Sequence, residues 1–220
     1  MPHIDPLRNP TLKKIHDVGI VLVVRAEKAD ETLFSALGAI AEGGVKAIEI
    51  TFSVPDAVSV IRQVAERFGD DVILGAGTVL NPSDAVAAVG AGATYVVSPN
   101  TNVEVIGVAK RMGVPVMPGA FTPTEVVTAY NAGADVVKIF PASVGGPGHL
   151  KALRGPLPHI PMMPTGGVNL ETAAPFIKAG AFALGAGGNL YDKKLIASGD
   201  FAGLTALAKR YVDLIAEARG

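Results

Sequence analysis

The chain has 220 residues and a formal net charge of −1 at pH 7, with 49% hydrophobic and 18% charged residues. It is too apolar for intrinsic disorder, and a near-neutral charge without a dense basic run disfavours a nucleic-acid surface. No apolar run approaches the ~20 residues of a membrane-spanning helix, and the lack of cysteine excludes disulfides, thiol catalysis and zinc–thiolate sites.

The predicted elements repeat one pattern, in which an apolar strand is followed by a helix. A short N-terminal helix is predicted over residues 10–17, ahead of the repeats. The predicted strands are 19–26, 47–52, 72–78, 95–99, 115–120, 134–141, 161–167 and 181–188. The predicted helices are 30–43, 55–68, 82–89, 103–112, 123–131, a short one near Leu150, 170–179 and 201–218.

Eight near-equal strand–helix units with short connections predict a parallel sheet with right-handed crossovers. We therefore expect one α/β domain over residues 1–220, a (β/α)8 TIM barrel with a short N-terminal helix. A doubly wound open sheet is the alternative, but no nucleotide-binding fingerprint follows the first strand. Barrel active sites gather at the C-terminal ends of the strands, so functional residues are sought there.

A lysine lies in the middle of the sixth predicted strand. Side-chain alternation places Lys138 on the same face as Val136 and Phe140, opposite Val137 and Ile139. If both faces are buried, the ammonium loses hydration, which favours the neutral amine that can attack a ketone and form a Schiff base. The alternative is a structural lysine whose head group reaches solvent.

A carboxylate occupies the second predicted strand, where Glu49 shares a face with Ala47 and Thr51. An unpaired buried charge is very unfavourable, so this side chain is either paired or functional. The structural interpretation is an internal ion pair with Lys138 or Arg25. The functional interpretation is a general acid/base whose pKa is raised towards neutrality by partial burial.

Two glycine pairs end the seventh and eighth strands, Gly166–Gly167 and Gly187–Gly188. Glycine lets backbone N–H groups approach an anion without an intervening Cβ, and barrels often bind phosphate with these two loops. The sequence therefore predicts a phosphate site built on backbone dipoles. Polar residues and prolines also lie at the strand ends, and the candidates among them are Arg25, Thr51, Thr78, Ser98, Pro99, Pro118 and Thr165.

Seven motifs from Arg25 to about Tyr191 together resemble the 2-keto-3-deoxy-6-phosphogluconate (KDPG) aldolase family, and they occur in the family's order. They are residues 48–52, 75–79, 97–100, 117–119, 122–125, 138–141 and 164–168. The resemblance implies a class I aldolase, independent of metal and cofactor, that cleaves KDPG to pyruvate and glyceraldehyde 3-phosphate. Many members also process 4-hydroxy-2-oxoglutarate, and the family is usually trimeric.

The resemblance also implies roles for individual residues. Lys138 matches the Schiff-base lysine and Glu49 the acid/base, while Thr78 matches the threonine beside the pyruvyl carboxylate. Pro99 and Phe140 match residues that shape the pocket. The remaining matches are Thr165 as a substrate contact, Gly166, Gly167, Gly187 and Gly188 as the phosphate loops, and Arg25 as an arginine directed at a substrate anion. Thr51 is a further candidate substrate contact.

Two positions depart from the family pattern. Ser53 stands where some members carry an arginine, and Gly188 stands where a serine is frequent. Both leave substrate preference open, so the 6-phosphogalactonate epimer is an alternative substrate. A phosphate-binding isomerase or epimerase would not need Lys138, and a non-catalytic trimeric barrel scaffold would tolerate its loss.

The expected partners are therefore a phosphorylated 2-keto acid, pyruvate and further copies of the chain, without nucleic acid or membrane. Residues 1–5 lack the apolar core of a signal peptide, so a cytoplasmic protein is expected. High apolar content indicates buried subunit contacts. The histidines show no ligand spacing and are expected at the surface, with no metal site; they are His3, His16, His149 and His159.

Overall fold

The computed structural model of the chain describes residues 5–220, so the predictions for His3 and the residues before Asp5 lie outside it. The strands are β1 Ile20–Val24, β2 Ala47–Thr51, β3 Ile73–Gly77, β4 Val96–Val97, β5 Val116–Met117, β6 Gly119–Ala120, β7 Val137–Ile139, β8 Met162–Pro164 and β9 Leu184–Ala186. The helices are α1 Pro10–Val18, α2 Glu31–Glu42, α3 Ala57–Phe68, α4 Pro82–Gly90, α5 Val103–Arg111, α6 Pro123–Asn131, α7 Ala142–Arg154, α8 Ala173–Lys178, α9 Lys193–Ser198 and α10 Phe201–Arg219. In this part of the chain, no helix has the length and apolar character needed to cross a membrane.

The strands pair in parallel and form two sheets, one in the order β5-β4-β3-β2-β1-β9 and one in the order β6-β7-β8. The chain passes from β5 to β6 through Pro118, which has no N–H to continue the ladder. At the other junction, Phe182 N–H donates to Met162 O across 2.8 Å, and Thr165 bridges Gly185. The strands therefore follow one another around a curled parallel sheet.

The α/β class, the parallel pairing and the short N-terminal helix are confirmed, but the single continuous sheet expected of the barrel is divided in two. The fifth predicted strand is split at Pro118. The strand predicted over 95–99 is reduced to β4, and that over 134–141 to β7, because their ends leave the ladder to form loops.

Two helical segments differ from those predicted. The short helix expected near Leu150 belongs to the thirteen-residue α7, which is broken at Gly146, where φ is 61° and ψ is −165°. The unpredicted helix α9 begins after Asp192, whose side chain accepts hydrogen bonds from two N–H groups of the first turn, and ends at Gly199.

Two clusters of buried apolar residues hold the fold together. The larger lies between the sheet and the helices and includes alternate strand residues such as Leu22, Ile48 and Val137. The smaller fills the inside of the curled sheet and includes Val21, Ala47, Tyr95, Val97, Met117, Val136 and Met163, with Leu12 and Ile15 of α1. Helix α1 thus covers the interior at the N-terminal ends of the strands, opposite the predicted site.

Candidate active site

The lysine predicted from strand alternation lies inside the curled sheet, on β7. Its neighbours Val137 and Ile139 pack towards the helices, whereas Val136 packs in the interior. Lys138 also points inward, and only 2% of its side chain is exposed. Its Nζ lies 5.3 Å from the centre of the Phe140 ring, within cation–π range. The amine is therefore almost completely removed from solvent.

Glu49 faces this amine from β2. Its side chain has no exposed surface, and its Oε1 lies 4.0 Å from Lys138 Nζ, too far for a direct hydrogen bond. Neither carboxylate oxygen has a hydrogen-bond partner within residues 5–220. Burial raises the pKa of Glu49, because desolvation outweighs the opposing attraction of Lys138 and Arg25. The carboxyl group therefore holds its proton more strongly than usual, which suits a group that must give and take one.

Two glycines of β3 make room for the interior side chains. A Cβ at Gly77 would overlap Oε1 of Glu49, and a Cβ at Gly75 would overlap the ring of Tyr95. A side chain at either position would displace its neighbour. The bare backbone of β3 is therefore part of the site.

We expect Gly77→Ala to reduce turnover and stability together, because the added methyl group must displace the Glu49 carboxyl from its position opposite Lys138. Overpacking of this kind typically destabilises by about 1–3 kcal/mol. Urea unfolding and steady-state kinetics measure the two effects. Gly90→Ala is the matched control, since a Cβ at the end of α4 meets nothing within 4 Å. If both variants behave like the parent, Glu49 is not held against β3.

Two threonines lie at the ends of β2 and β3. Thr51 donates its hydroxyl hydrogen to Val24 O across 2.7 Å, and its Oγ1 is 2.6 Å from Ser53 Oγ. The Thr51 hydroxyl therefore links β2 to β1, and its oxygen can only accept a hydrogen bond from a ligand, not donate one. Thr78 is half-buried and has a φ of 57°, in the left-handed region that non-glycine residues seldom adopt. Such strain concentrates at functional sites.

Pro99 and Phe140, expected to shape the pocket, line a cavity of about 350 Å³. Thr101 and Gly119 line it as well, and the Thr101 hydroxyl donates to Gly119 O across 2.9 Å. Lys138 is not part of its wall, so this cavity lies beside the amine. Its position at the ends of β4, β6 and β7 nevertheless places it at the predicted mouth.

The glycine loops after β8 and β9 lie together. Asn189, which follows Gly188, donates its side-chain amide to Val168 O across 2.9 Å and so joins the two loops. Gly166 and Gly167 have φ values of 90° and 75°, which glycine adopts without strain. No backbone acceptor among the described residues receives the N–H groups of Gly166, Gly167 or Gly188. These donors can bind an anion.

The last two predicted contacts differ in exposure. Thr165 is buried at the end of β8, and its Oγ1 has no hydrogen-bond partner within the described chain. It packs against Gly185, where a Cβ would overlap the hydroxyl. Arg25 is exposed after β1, and its charge offsets part of the rise in the pKa of Glu49 that burial causes. Both residues lie at the C-terminal end of the sheet.

The expectation that the histidines lie at the surface holds for His159, which is exposed, but not for two others. His16 is half-buried with its ring centre 5.0 Å from that of Phe182. His149 is half-buried with Nε2 2.8 Å from Phe121 O. Both rings pack against an aromatic neighbour, which the spacing of histidines could not predict. In residues 5–220 no three His, Asp or Glu side chains converge as metal ligands would.

Sequence reasoning missed Tyr95, which it treated as the start of an apolar strand. The side chain is completely buried in the interior, and its hydroxyl has no partner within the described residues. Burial, and secondarily the charge of Glu49, raise the pKa of Tyr95 well above its ordinary value. Strand alternation puts it on the same face as Val97, which was the available signal.

Comparison with known proteins relates the chain to one family of aldolases. The family model for KDPG and KHG aldolase matches residues 12–207. A 2-dehydro-3-deoxy-6-phosphogalactonate aldolase from Escherichia coli K12 is 39% identical over 173 residues, 78% of this chain and 84% of that protein. A 2-dehydro-3-deoxy-phosphogluconate aldolase from Treponema pallidum is 36% identical over 200 residues, 90% of this chain and 94% of that protein. A solved structure described as native KDPGal superposes with a TM-score of 0.83 at 36% identity, covering 90% of this chain and 95% of that one.

Proposed function

The chain belongs to the KDPG and KHG aldolase family, and from this premise we propose that it cleaves KDPG through a Schiff base on Lys138. The products are pyruvate and glyceraldehyde 3-phosphate. The observation that carries the proposal is the burial of the Lys138 amine 4.0 Å from the Glu49 carboxyl group. A buried amine next to a proton carrier supplies both groups that imine chemistry requires.

The first half of the reaction forms the imine. The Lys138 amine attacks the C2 carbonyl of the substrate, and the resulting carbinolamine loses water to give a protonated imine. Glu49 donates the proton that lets the hydroxyl leave as water. The positive imine nitrogen then withdraws electrons from the bond to be broken, which a neutral ketone does poorly.

The second half breaks the carbon–carbon bond. The Glu49 carboxylate takes the C4 hydroxyl proton, and glyceraldehyde 3-phosphate leaves as the C3–C4 electron pair forms a C2=C3 double bond. The C2=N π pair moves to the nitrogen, which becomes neutral. The remaining enamine takes a proton at C3 from Glu49 and returns to the imine. Water then attacks C2, Glu49 takes back the proton that hydrolysis of the imine releases, and pyruvate leaves with the free Lys138 amine. Glu49 therefore ends the cycle protonated, as it began.

The other residues bind the two ends of the substrate. Thr78 and Arg25 take the carboxylate in this proposal, because Ser53 cannot supply a cation there. Thr165, with its unpartnered buried hydroxyl, contacts either the pyruvyl part of the substrate or the hydroxyl groups of the remaining carbons. The phosphate binds to backbone N–H groups of the loops after β8 and β9.

The phosphate assignment gives a prediction for Gly166→Ala. A Cβ strains a residue with a φ of 90° and shifts the loop, so KM for KDPG should rise roughly tenfold, as loss of one hydrogen bond to a charged group would cause. Imine trapping with pyruvate, which has no phosphate, should not change. Gly113→Ala is the strain-matched control, because Gly113 has a φ of 75° and open space around it. Equal KM values in both variants would contradict a phosphate site at Gly166.

A direct assay tests the substrate itself. Pyruvate release should be followed with purified KDPG, its 6-phosphogalactonate epimer and 4-hydroxy-2-oxoglutarate, each with and without a chelator. We expect the highest kcat/KM with KDPG and no effect of the chelator, since the imine serves as the electron sink. The epimer is the second candidate, because a relative at 39% identity is a phosphogalactonate aldolase. Absence of cleavage with all three substrates would refute the proposed function.

The assembly and barrel predictions remain part of the same proposal. We expect a cytoplasmic homotrimer. Within each subunit we count β5 and β6 as one strand interrupted at Pro118, which gives the eight strands of a barrel. The hydrogen bond from Phe182 to Met162 supports closure between β8 and β9. A non-catalytic scaffold is disfavoured, since a buried Lys138 and Glu49 without a tight pair are unfavourable for stability.

A further inference from the structure

Tyr95 and Glu49 approach the bare backbone of β3 from its two sides. Within the sheet, Glu49 of β2 pairs with Gly75 of β3, and the ring of Tyr95, just before β4, lies against Gly75 from the other side. Because Gly75 has no side chain, the ring extends over β3 towards Glu49. The Glu49 carboxyl lies over Gly77, two residues further along β3. The phenol and the carboxyl group therefore both lie over β3 in the interior, close enough for the charge of Glu49 to contribute, after burial, to the raised pKa of Tyr95.

Both groups have unused hydrogen-bonding capacity. The Tyr95 hydroxyl and both Glu49 oxygens are buried, and none has a partner within residues 5–220. Buried polar groups in folded proteins are almost always paired, either with protein or with an ordered water. The phenol remains protonated over the ordinary pH range, because burial raises its pKa, so towards a carboxylate it acts as a donor.

We propose that Tyr95 is a positioning residue for Glu49: its hydroxyl donates, through one buried water, to the Glu49 carboxylate and keeps it next to Lys138. This inference rests on the proposed function, because it gives Tyr95 a role in the acid–base chemistry of Glu49. Three groups then act on the carboxylate from different elements, namely Lys138 on β7, Arg25 after β1 and Tyr95 before β4. A hydrogen bond to the charged form favours that form.

The contrasting interpretation is that Tyr95 only fills the core. Removal of an unpaired hydroxyl would then leave the chemistry unchanged and increase stability, because a desolvated polar group is lost. A hydroxyl that stabilises the Glu49 carboxylate has a different signature. Without it, ionisation of Glu49 requires a higher pH, and proton transfer at lower pH slows.

The test uses Tyr95→Phe and the exchange of pyruvate methyl protons for deuterium, followed by NMR from pH 5 to 9. Exchange requires Glu49 to remove a methyl proton from the pyruvate imine, and borohydride trapping at each pH gives the amount of imine present. We expect pyruvate still to be trapped on Lys138 in the variant. The exchange rate divided by the amount of imine falls at low pH, and in the variant this fall should occur about one pH unit higher than in the parent. Tyr130→Phe is the control, since Tyr130 lies on the outer helix α6 with its ring against His159, and it should keep the parent profile.

An unshifted profile in a folded Tyr95→Phe protein overturns the inference while leaving the aldolase assignment intact. If Tyr95→Phe fails to fold, Tyr95→Met removes the hydroxyl with a flexible side chain and should give the same shift. If the parent protein neither traps nor exchanges pyruvate, the proposed function fails first and this inference fails with it. The two failures are therefore distinguishable.

Discussion

Lys138→Arg is expected to reduce aldol cleavage to the uncatalysed rate. Arginine keeps a positive charge near Glu49, but its guanidinium remains protonated and cannot form an imine. The loss should appear in pyruvate release from KDPG at saturating substrate. Since the substitution preserves charge, the loss cannot be attributed to a missing cation.

Two further variants complete this comparison. Lys138→Met removes the charge and should be as inactive as Lys138→Arg, whereas Lys194→Arg changes an exposed lysine on α9 and should be fully active. Circular dichroism should show that all three proteins are folded. Cleavage by Lys138→Arg well above background would mean that another residue carries the reaction.

Glu49→Gln is expected to lower kcat by roughly 10²–10⁴-fold, the usual contribution of a positioned general acid or base. Glutamine retains the shape of the side chain and its hydrogen-bonding capacity but transfers no proton. Borohydride trapping of pyruvate should persist, because Lys138 is intact, although imine formation should be slower. Unchanged turnover would mean that Glu49 is only an ion-pair partner of Lys138 and has no role in proton transfer.

The same variant tests the electrostatics of the site. Since burial raises the folded-state pKa of Glu49, the parent protein should lose stability as pH rises from the unfolded-state pKa through this raised value. Glutamine does not ionise and escapes this loss. The Tm of Glu49→Gln minus that of the parent should therefore increase from pH 4 to pH 8. A constant difference would show that Glu49 has the same pKa in both states.

Strand alternation predicted the inward orientation of Lys138 and Glu49. Both lie between apolar residues that face the helices, so their own side chains point into the interior. The glycine pairs after β8 and β9 were also found at strand ends as expected. These predictions succeeded because they depend on local periodicity, which the chain retains after folding.

Other features depend on contacts that local patterns do not contain. Helix α7 includes Gly145, Gly146 and Pro147, residues that indicate a loop, and the structure accommodates them with a break at Gly146. Pro118 divides a strand that looked continuous. The approach of Tyr95 to Glu49 depends on the missing side chain of Gly75 on the strand between them. Such a contact becomes visible only when three strands are placed side by side.

Reductive trapping of pyruvate tests the central claim most directly. The protein is incubated with pyruvate and borohydride, digested, and mapped by mass spectrometry. The account predicts one three-carbon adduct, on Lys138, that is absent from Lys138→Arg and undiminished by a chelator. Exposed lysines such as Lys13, Lys14, Lys193 and Lys194 should remain unmodified. Indiscriminate labelling of these surface lysines, or no adduct on Lys138, would contradict a Schiff-base aldolase.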